Sequence, residues 1–262
     1  MSSLEDDMTI DIYVYLIVLP FMFLAGFVDA IAGGGALIAL PGMFIAGLPA
    51  HTALGTNKFG AMFGTAFTFI RYLRNGFIDL KLAAIIAVFT ISGAALGTNL
   101  VLMVSSNSYK IALLVGLPIT AFYLLRKRAL RDYSEEIPYN KLLIRCILIT
   151  FIVGIYDGFY GPGAGTFLLL GFCAFAHMSV QKSNGLTKAE NMISDITSMI
   201  LFLIHGDVLF PLAIGAAIAN IAGNYFGAKF FEKKGAFATR PIMIVVISLF
   251  ILKVGYDVIT GQ

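Results

Sequence analysis

Two aspartates interrupt apolar sequence, and each is followed within a few residues by a run of glycines: Gly26-Phe-Val-Asp29-Ala-Ile-Ala-Gly33-Gly34-Gly35 and Gly154-Ile-Tyr-Asp157-Gly-Phe-Tyr-Gly161-Pro-Gly163-Ala-Gly165. Two lysines, Lys58 after Thr56-Asn57 and Lys188 after Thr187, are read as standing at the heads of apolar helices. A buried carboxylate can carry a proton, a buried ammonium can neutralise an anion, and glycine lets a ligand reach backbone N–H groups. The candidate binding residues are therefore Gly33, Gly34, Gly35, Thr56, Asn57, Lys58, Gly161, Gly163, Gly165, Thr166, Thr187, Lys188 and Asn191, with Asp29 and Asp157 as candidate proton carriers. Each has a plainer alternative. The glycines serve close packing and sharp turns; the lysines snorkel, or Lys188 pairs with Glu190 or Asp195; Asn57, Thr187 and Asn191 cap helices. Asp29 and Asp157 accept glycine-loop N–H groups and stay ionised.

The elements that must hold these residues are membrane helices. Of 262 residues, 59% are hydrophobic and only 13% charged, and the mean hydropathy is +0.89. This excludes a soluble core and describes a polytopic membrane protein. Apolar stretches run over 10–31, 36–48, 58–75, 82–104, 108–126, 142–160, 164–176, 186–204, 211–229 and 240–258. Most reach the ~17–25 residues that cross a bilayer, but 36–48 and 164–176 do not and are expected to be half-helices. If these start at Gly35-Ala36 and Gly165-Thr166, their unbonded N–H groups and positive dipole ends face the glycine loops, which makes an anion site.

The acidic N-terminus lacks the basic region of a cleavable signal, so the first helix is expected to be retained. Cys146 and Cys173 are isolated, and His51, His177 and His205 are scattered, so no metal site or other cofactor is expected. Arg71, Arg74 and Lys81, then Arg126, Lys127, Arg128, Arg131, Lys141 and Arg145, then Lys229, Lys233, Lys234 and Arg240 mark three cytoplasmic loops, with both termini outside. These cations occupy short connections, which argues against a nucleic-acid surface.

The chain also repeats itself. A shift of 128 brings Gly26, Asp29, Gly33, Gly35, Ala36 and Leu40 onto Gly154, Asp157, Gly161, Gly163, Ala164 and Leu168; a shift of 130 brings Gly55, Lys58, Gly76, Gly93 and Gly97 onto Gly185, Lys188, Gly206, Gly223 and Gly227. The loop at Gly76 is cationic and its counterpart at Gly206 is not, so the repeats are read as inverted. The expected fold is an all-α polytopic membrane protein of two inverted repeats, about five membrane segments each, with one half-helix after each glycine-rich break. Residues 1–127 form the first repeat, 128–141 a cytoplasmic linker and 142–262 the second repeat. Such architecture suits a secondary transporter that rocks one repeat against the other around a mid-membrane site.

Phe27-Val-Asp-Ala-Ile-Ala-Gly-Gly-Gly35, Ala53-Leu-Gly-Thr-Asn-Lys58, Tyr156-Asp-Gly-Phe-Tyr-Gly-Pro-Gly-Ala-Gly165 and Arg240-Pro-Ile-Met resemble the sulfite exporter TauE/SafE family, the TSUP permeases, over about residues 16–258. The resemblance implies a permease of the bacterial inner membrane for small anions, often sulfur-containing, such as sulfite or organosulfonates. The three oxygens of such a head group would accept several N–H donors in a compact site. The expected partners are a small anionic substrate and the lipid bilayer; a homo-oligomer stays open. Proton motive force is the expected energy source, since the chain has no P-loop for ATP. A passive anion channel and a transporter of non-sulfur organic anions stay as alternatives. An intramembrane enzyme would need a nucleophile–base pair or metal triad that the spacing does not offer.

Overall fold

The computed structural model describes residues 11–126 and 137–234, and nine helices are found among them: α1 (Ile12–Ala32), α2 (Ala36–Ile45), α3 (Ala50–Arg74), α4 (Leu80–Leu102), α5 (Ser106–Arg126), α6 (Tyr139–Phe159), α7 (Ala164–Ala174), α8 (Val180–Ile204) and α9 (Phe210–Lys234). The tenth apolar stretch, 240–258, lies outside the described residues, as does most of the expected linker; its last residues, Tyr139 to Lys141, already belong to α6.

Length and apolarity suit α1, α4 and α6 for crossing a membrane, and α2 and α7 are short apolar helices. The 25-residue helices α3 and α8 are long enough but carry Asn57, Lys58, Lys188, Glu190, Asn191 and Asp195. Their low apolarity follows from their place: these six side chains are buried inside the helix bundle, where lipid does not meet them.

The order of helix lengths in α1–α4, namely 21, 10, 25 and 23 residues, nearly recurs in α6–α9 as 21, 11, 25 and 25. Packing recurs as well. The most extensive contacts are α1 with α9 and α4 with α6, while α3 lies against both α8 and α9. These seams are close because glycines face backbone across them. A Cβ on Gly93 or Gly97 of α4 would meet the Phe151 or Ile155 carbonyl of α6, and one on Gly223 or Gly227 of α9 would meet the Phe23 or Phe27 carbonyl of α1. This is the close helix contact that their small-residue spacing predicts.

Polar contacts fix the remaining registers. Tyr72 Oη donates to the Ala30 carbonyl at 2.8 Å, and Asn184 Nδ2 donates to Ala30 and Ile31 carbonyls at 3.1 and 3.2 Å, so the end of α1 is held by side chains from α3 and α8. At one end of the α3–α9 seam, Arg71 makes a two-pronged contact with Glu232 at 2.5 and 2.6 Å, and Asn75 Nδ2 donates to the same carboxylate at 2.7 Å.

Gly97→Val should force α4 and α6 apart and lower stability by about 1–3 kcal/mol, seen as a lower midpoint of thermal unfolding in detergent. Ile91→Val, on a half-exposed face of α4, should leave that midpoint nearly unchanged.

Candidate functional site

The two glycine-rich breaks touch. Gly33 and Gly34 have φ of 73° and 86°, and Gly161 and Gly163 have φ of 87° and 85°, a left-handed backbone that costs other residues. Gly33 also lies against the backbone of Gly165 and Thr166 so closely that a Cβ would collide with it. The starts of α2 and α7 are thereby brought together. The N–H groups of Gly35, Ala36, Gly165 and Thr166 have no backbone acceptor among the described residues, as expected for the first turn of a helix. Helix α2 begins at Ala36 as the sequence suggests, whereas α7 begins at Ala164, just before the expected Gly165-Thr166 start.

Beside this junction lie two buried ion pairs. Lys58 Nζ of α3 donates to Asp157 Oδ2 of α6 at 2.7 Å and to Asp195 Oδ1 of α8 at 2.9 Å. Ser194 Oγ donates to the same Asp157 oxygen at 2.5 Å. Lys188 Nζ of α8 donates to Asp29 Oδ2 of α1 at 2.8 Å and also to the Asp29 backbone carbonyl. Lys58 thus pairs with the aspartate that precedes the second glycine run, and Lys188 with the aspartate that precedes the first. Their side chains are 4% and 0% exposed, which removes the snorkelling reading.

Two further expectations are corrected. Lys58 and Lys188 do not stand at helix starts; each lies eight residues after the start of its helix, at Ala50 or Val180. The stretches 50–57 and 180–187 are too polar or small to extend an apolar run, yet they are helical because they pack against neighbouring helices. The alternative partners of Lys188 also fail: Asp195 serves Lys58, and Glu190 lies away from the Lys188 head group, bonded to Thr90 of α4. The aspartate carboxylates are engaged by lysine and serine; the glycine loops instead bond the backbone, through Gly33 N–H to the Asp29 carbonyl and Gly161 N–H to the Tyr156 carbonyl.

A cavity of about 40 Å³ lies among these groups, walled by Asp29, Gly34, Gly35, Asn57, Lys58, Asp157, Gly161, Gly165, Asn191 and Asp195 together with Thr65, Asn220 and small residues of α1 to α3. It has room for roughly three water molecules at most, so a larger guest requires the walls to part. Gly33, Gly163 and Lys188 are not among the residues that line it. Thr166 Oγ1 is buried near Gly34, without a hydrogen-bond partner among the described residues. Thr56 is turned elsewhere, its hydroxyl accepting from Leu209 N–H at 3.2 Å, and Thr187 is fully buried off the cavity wall.

Sequence reading missed Asp195, Ser194, Thr65 and Asn220 as parts of the site. Asp195 was open to detection: it lies two helical turns beyond Lys188 and hence on the same face. Its presence changes the charge balance. Asp29, Asp157 and Asp195 against Lys58 and Lys188 amount to three negative and two positive groups, a net charge of −1 if all are ionised.

The model of the family described as sulfite exporter TauE/SafE matches residues 18–254. The chain belongs to the TauE/SafE family. Among relatives, a probable membrane transporter protein, ORF9, of Sinorhizobium sp is 34% identical over 224 residues, which is 86% of this chain and 85% of that protein. A probable membrane transporter protein of Haemophilus influenzae is 32% identical over 235 residues, 90% of this chain and 92% of its own. The probable membrane transporter protein YfcA of Escherichia coli K12 is 29% identical over 235 residues, 89% of this chain and 87% of its own. No solved structure matches. This TauE/SafE protein is a multi-pass membrane transporter with bacterial relatives, and its family is one of transporters, not enzymes.

Lys58→Gln should leave Asp157 and Asp195 facing each other in the interior without a counter-charge, lowering stability by about 3–5 kcal/mol. Adding Asp195→Asn should restore part of the loss, measured as the thermal unfolding midpoint of the single and double variants.

Proposed function

We propose that this TauE/SafE protein is a proton-coupled secondary transporter of small sulfur-containing anions, of the sulfite or organosulfonate kind, working by alternating access between two oppositely oriented halves. The observation that carries this reading is the meeting of the α2 and α7 starts beside the crossed pairs Lys58–Asp157 and Lys188–Asp29. The cationic loop at Gly76 against its counterpart at Gly206, which carries no Lys or Arg, supports the opposite orientation of the halves. The family description, sulfite exporter, supports the class of substrate.

The charge balance supplies the coupling. An arriving monoanion would take the site from −1 to −2 in a low-dielectric interior, where unneutralised charge is costly. A proton taken up by Asp157 or Asp195 restores −1 and frees Lys58 from one carboxylate. The ammonium then turns to the anion, alongside the N–H groups of Gly35, Ala36, Gly165 and Thr166. Asp29 and Lys188 form the second, equivalent station. Release on the other side reverses both exchanges, so anion and proton move together.

Purified protein in proteoliposomes should accumulate sulfite or sulfoacetate when the outside is acidified, and a protonophore should abolish the accumulation. Downhill flux without accumulation would make it a channel, and movement of carboxylates or cations alone would overturn the sulfur assignment. Lys188→Gln should weaken anion affinity about tenfold or more, the worth of one charge-assisted hydrogen bond. Asp157→Asn at unchanged abundance should lower proton-driven flux; intact flux would remove Asp157 from the coupling.

A further inference from the structure

Glu190 belongs to α8 but not to the cavity. Successive helical residues turn by about 100°, so Lys188 and Asp195 share one face of α8 and Glu190 lies on the other. There it is 0% exposed. Its Oε2 is hydrogen-bonded to Thr90 Oγ1 of α4, and its Oε1 has no hydrogen-bond partner among the described residues. No salt bridge among the described residues includes it.

Among the described residues, the surrounding elements offer it no ion-pairing partner. The Cys146 thiol of α6 is a titratable group near it. From α4 come the Thr90 hydroxyl and the Ile86 backbone carbonyl. Asp29 of α1, Lys58 of α3 and Asp157 of α6 are engaged in the crossed pairs, along with Lys188 and Asp195 of α8 itself. Cys173 of α7 packs with Ala32 and Leu169.

A lone carboxylate in such a place is costly, whereas the neutral acid is tolerated. Proton accounting points the same way. Thr90 has one hydroxyl proton for two neighbours, Glu190 Oε2 and the Ile86 carbonyl at 3.4 Å. If Glu190 carries a proton, it donates to Thr90 and Thr90 donates to Ile86, so both bonds form without a buried charge.

We propose that Glu190 is a second proton-binding site, separate from the cavity, which holds its proton while the α4–α8 seam is closed and gives it to water when that seam parts. In the release step the carboxyl O–H bond breaks, the proton passes to water, and the carboxylate is left hydrated. Release rests on the transport reading above; proton occupancy in the closed arrangement does not. The repeat offset pairs Glu190 with Gly60, so this proton site has no carboxylate counterpart in the first half.

Infrared spectra of the full chain in lipid vesicles at neutral pH test occupancy directly. Glu190→Gln should remove a carbonyl-stretch band of a protonated carboxyl group, Thr90→Val should shift that band, and Asp195→Asn should leave it in place. A spectrum unchanged by Glu190→Gln, or one that loses only an ionised-carboxylate band, overturns the proposal. Release is tested with sulfite: Glu190→Gln should retain sulfite exchange without a gradient while the number of protons moved per sulfite falls by one. An unchanged proton ratio, or loss of exchange as well, overturns the release step. If the unsubstituted protein moves no sulfite, the transport reading fails while the infrared band still decides the state of Glu190.

Discussion

Removing an ammonium or a carboxylate from water into a membrane protein interior costs several kcal/mol per ion, and only close opposite charge with further hydrogen bonds offsets it. That constraint organises this molecule. Lys58 reaches from α3 to α6 and α8, and Lys188 reaches from α8 to α1, so the charged groups pin helices far apart in the chain. The glycines of α1, α4, α6 and α9 keep the α1–α9 and α4–α6 seams close, because a Cβ there would meet the facing backbone.

The glycine breaks meet the same constraint with backbone groups. Ending α1 and α6 within the bundle leaves carbonyls to be satisfied, and side chains from other helices meet several of them. Tyr72 and Asn184 serve Ala30 and Ile31 in the last turn of α1, and Tyr109 Oη donates to the Tyr160 carbonyl at the end of α6 at 2.8 Å. Irregular backbone at this depth is tolerated because protein, rather than lipid, surrounds it. The unbonded N–H groups that begin α2 and α7 are the complementary result: donors gathered where small side chains let something approach.

Much of this was legible along the chain. Asp29, Asp157 and the glycine runs marked the breaks, and stretches 36–48 and 164–176 located α2 and α7 to within a few residues of Ala36–Ile45 and Ala164–Ala174. The starts of α3 and α8 were hidden because the burial of 53–57 and 183–187 is tertiary: a hydropathy pattern reads polarity but not the neighbour that satisfies it. The crossed pairing of Lys58 with Asp157 and Lys188 with Asp29 was hidden for the same reason, since nothing local distinguishes a carboxylate 99 or 159 residues away. Asn220 was obscured by helical neighbours that read as ordinary packing residues.

The Arg71–Glu232 contact differs in kind from the interior pairs, with 25% and 23% of its two side chains open to solvent. Dissolved ions reach it, so its grip on α3 and α9 weakens as ionic strength rises, while the more deeply buried pairs feel that influence much less. One margin of the bundle is therefore fastened by a latch that the surrounding electrolyte can loosen without disturbing the interior.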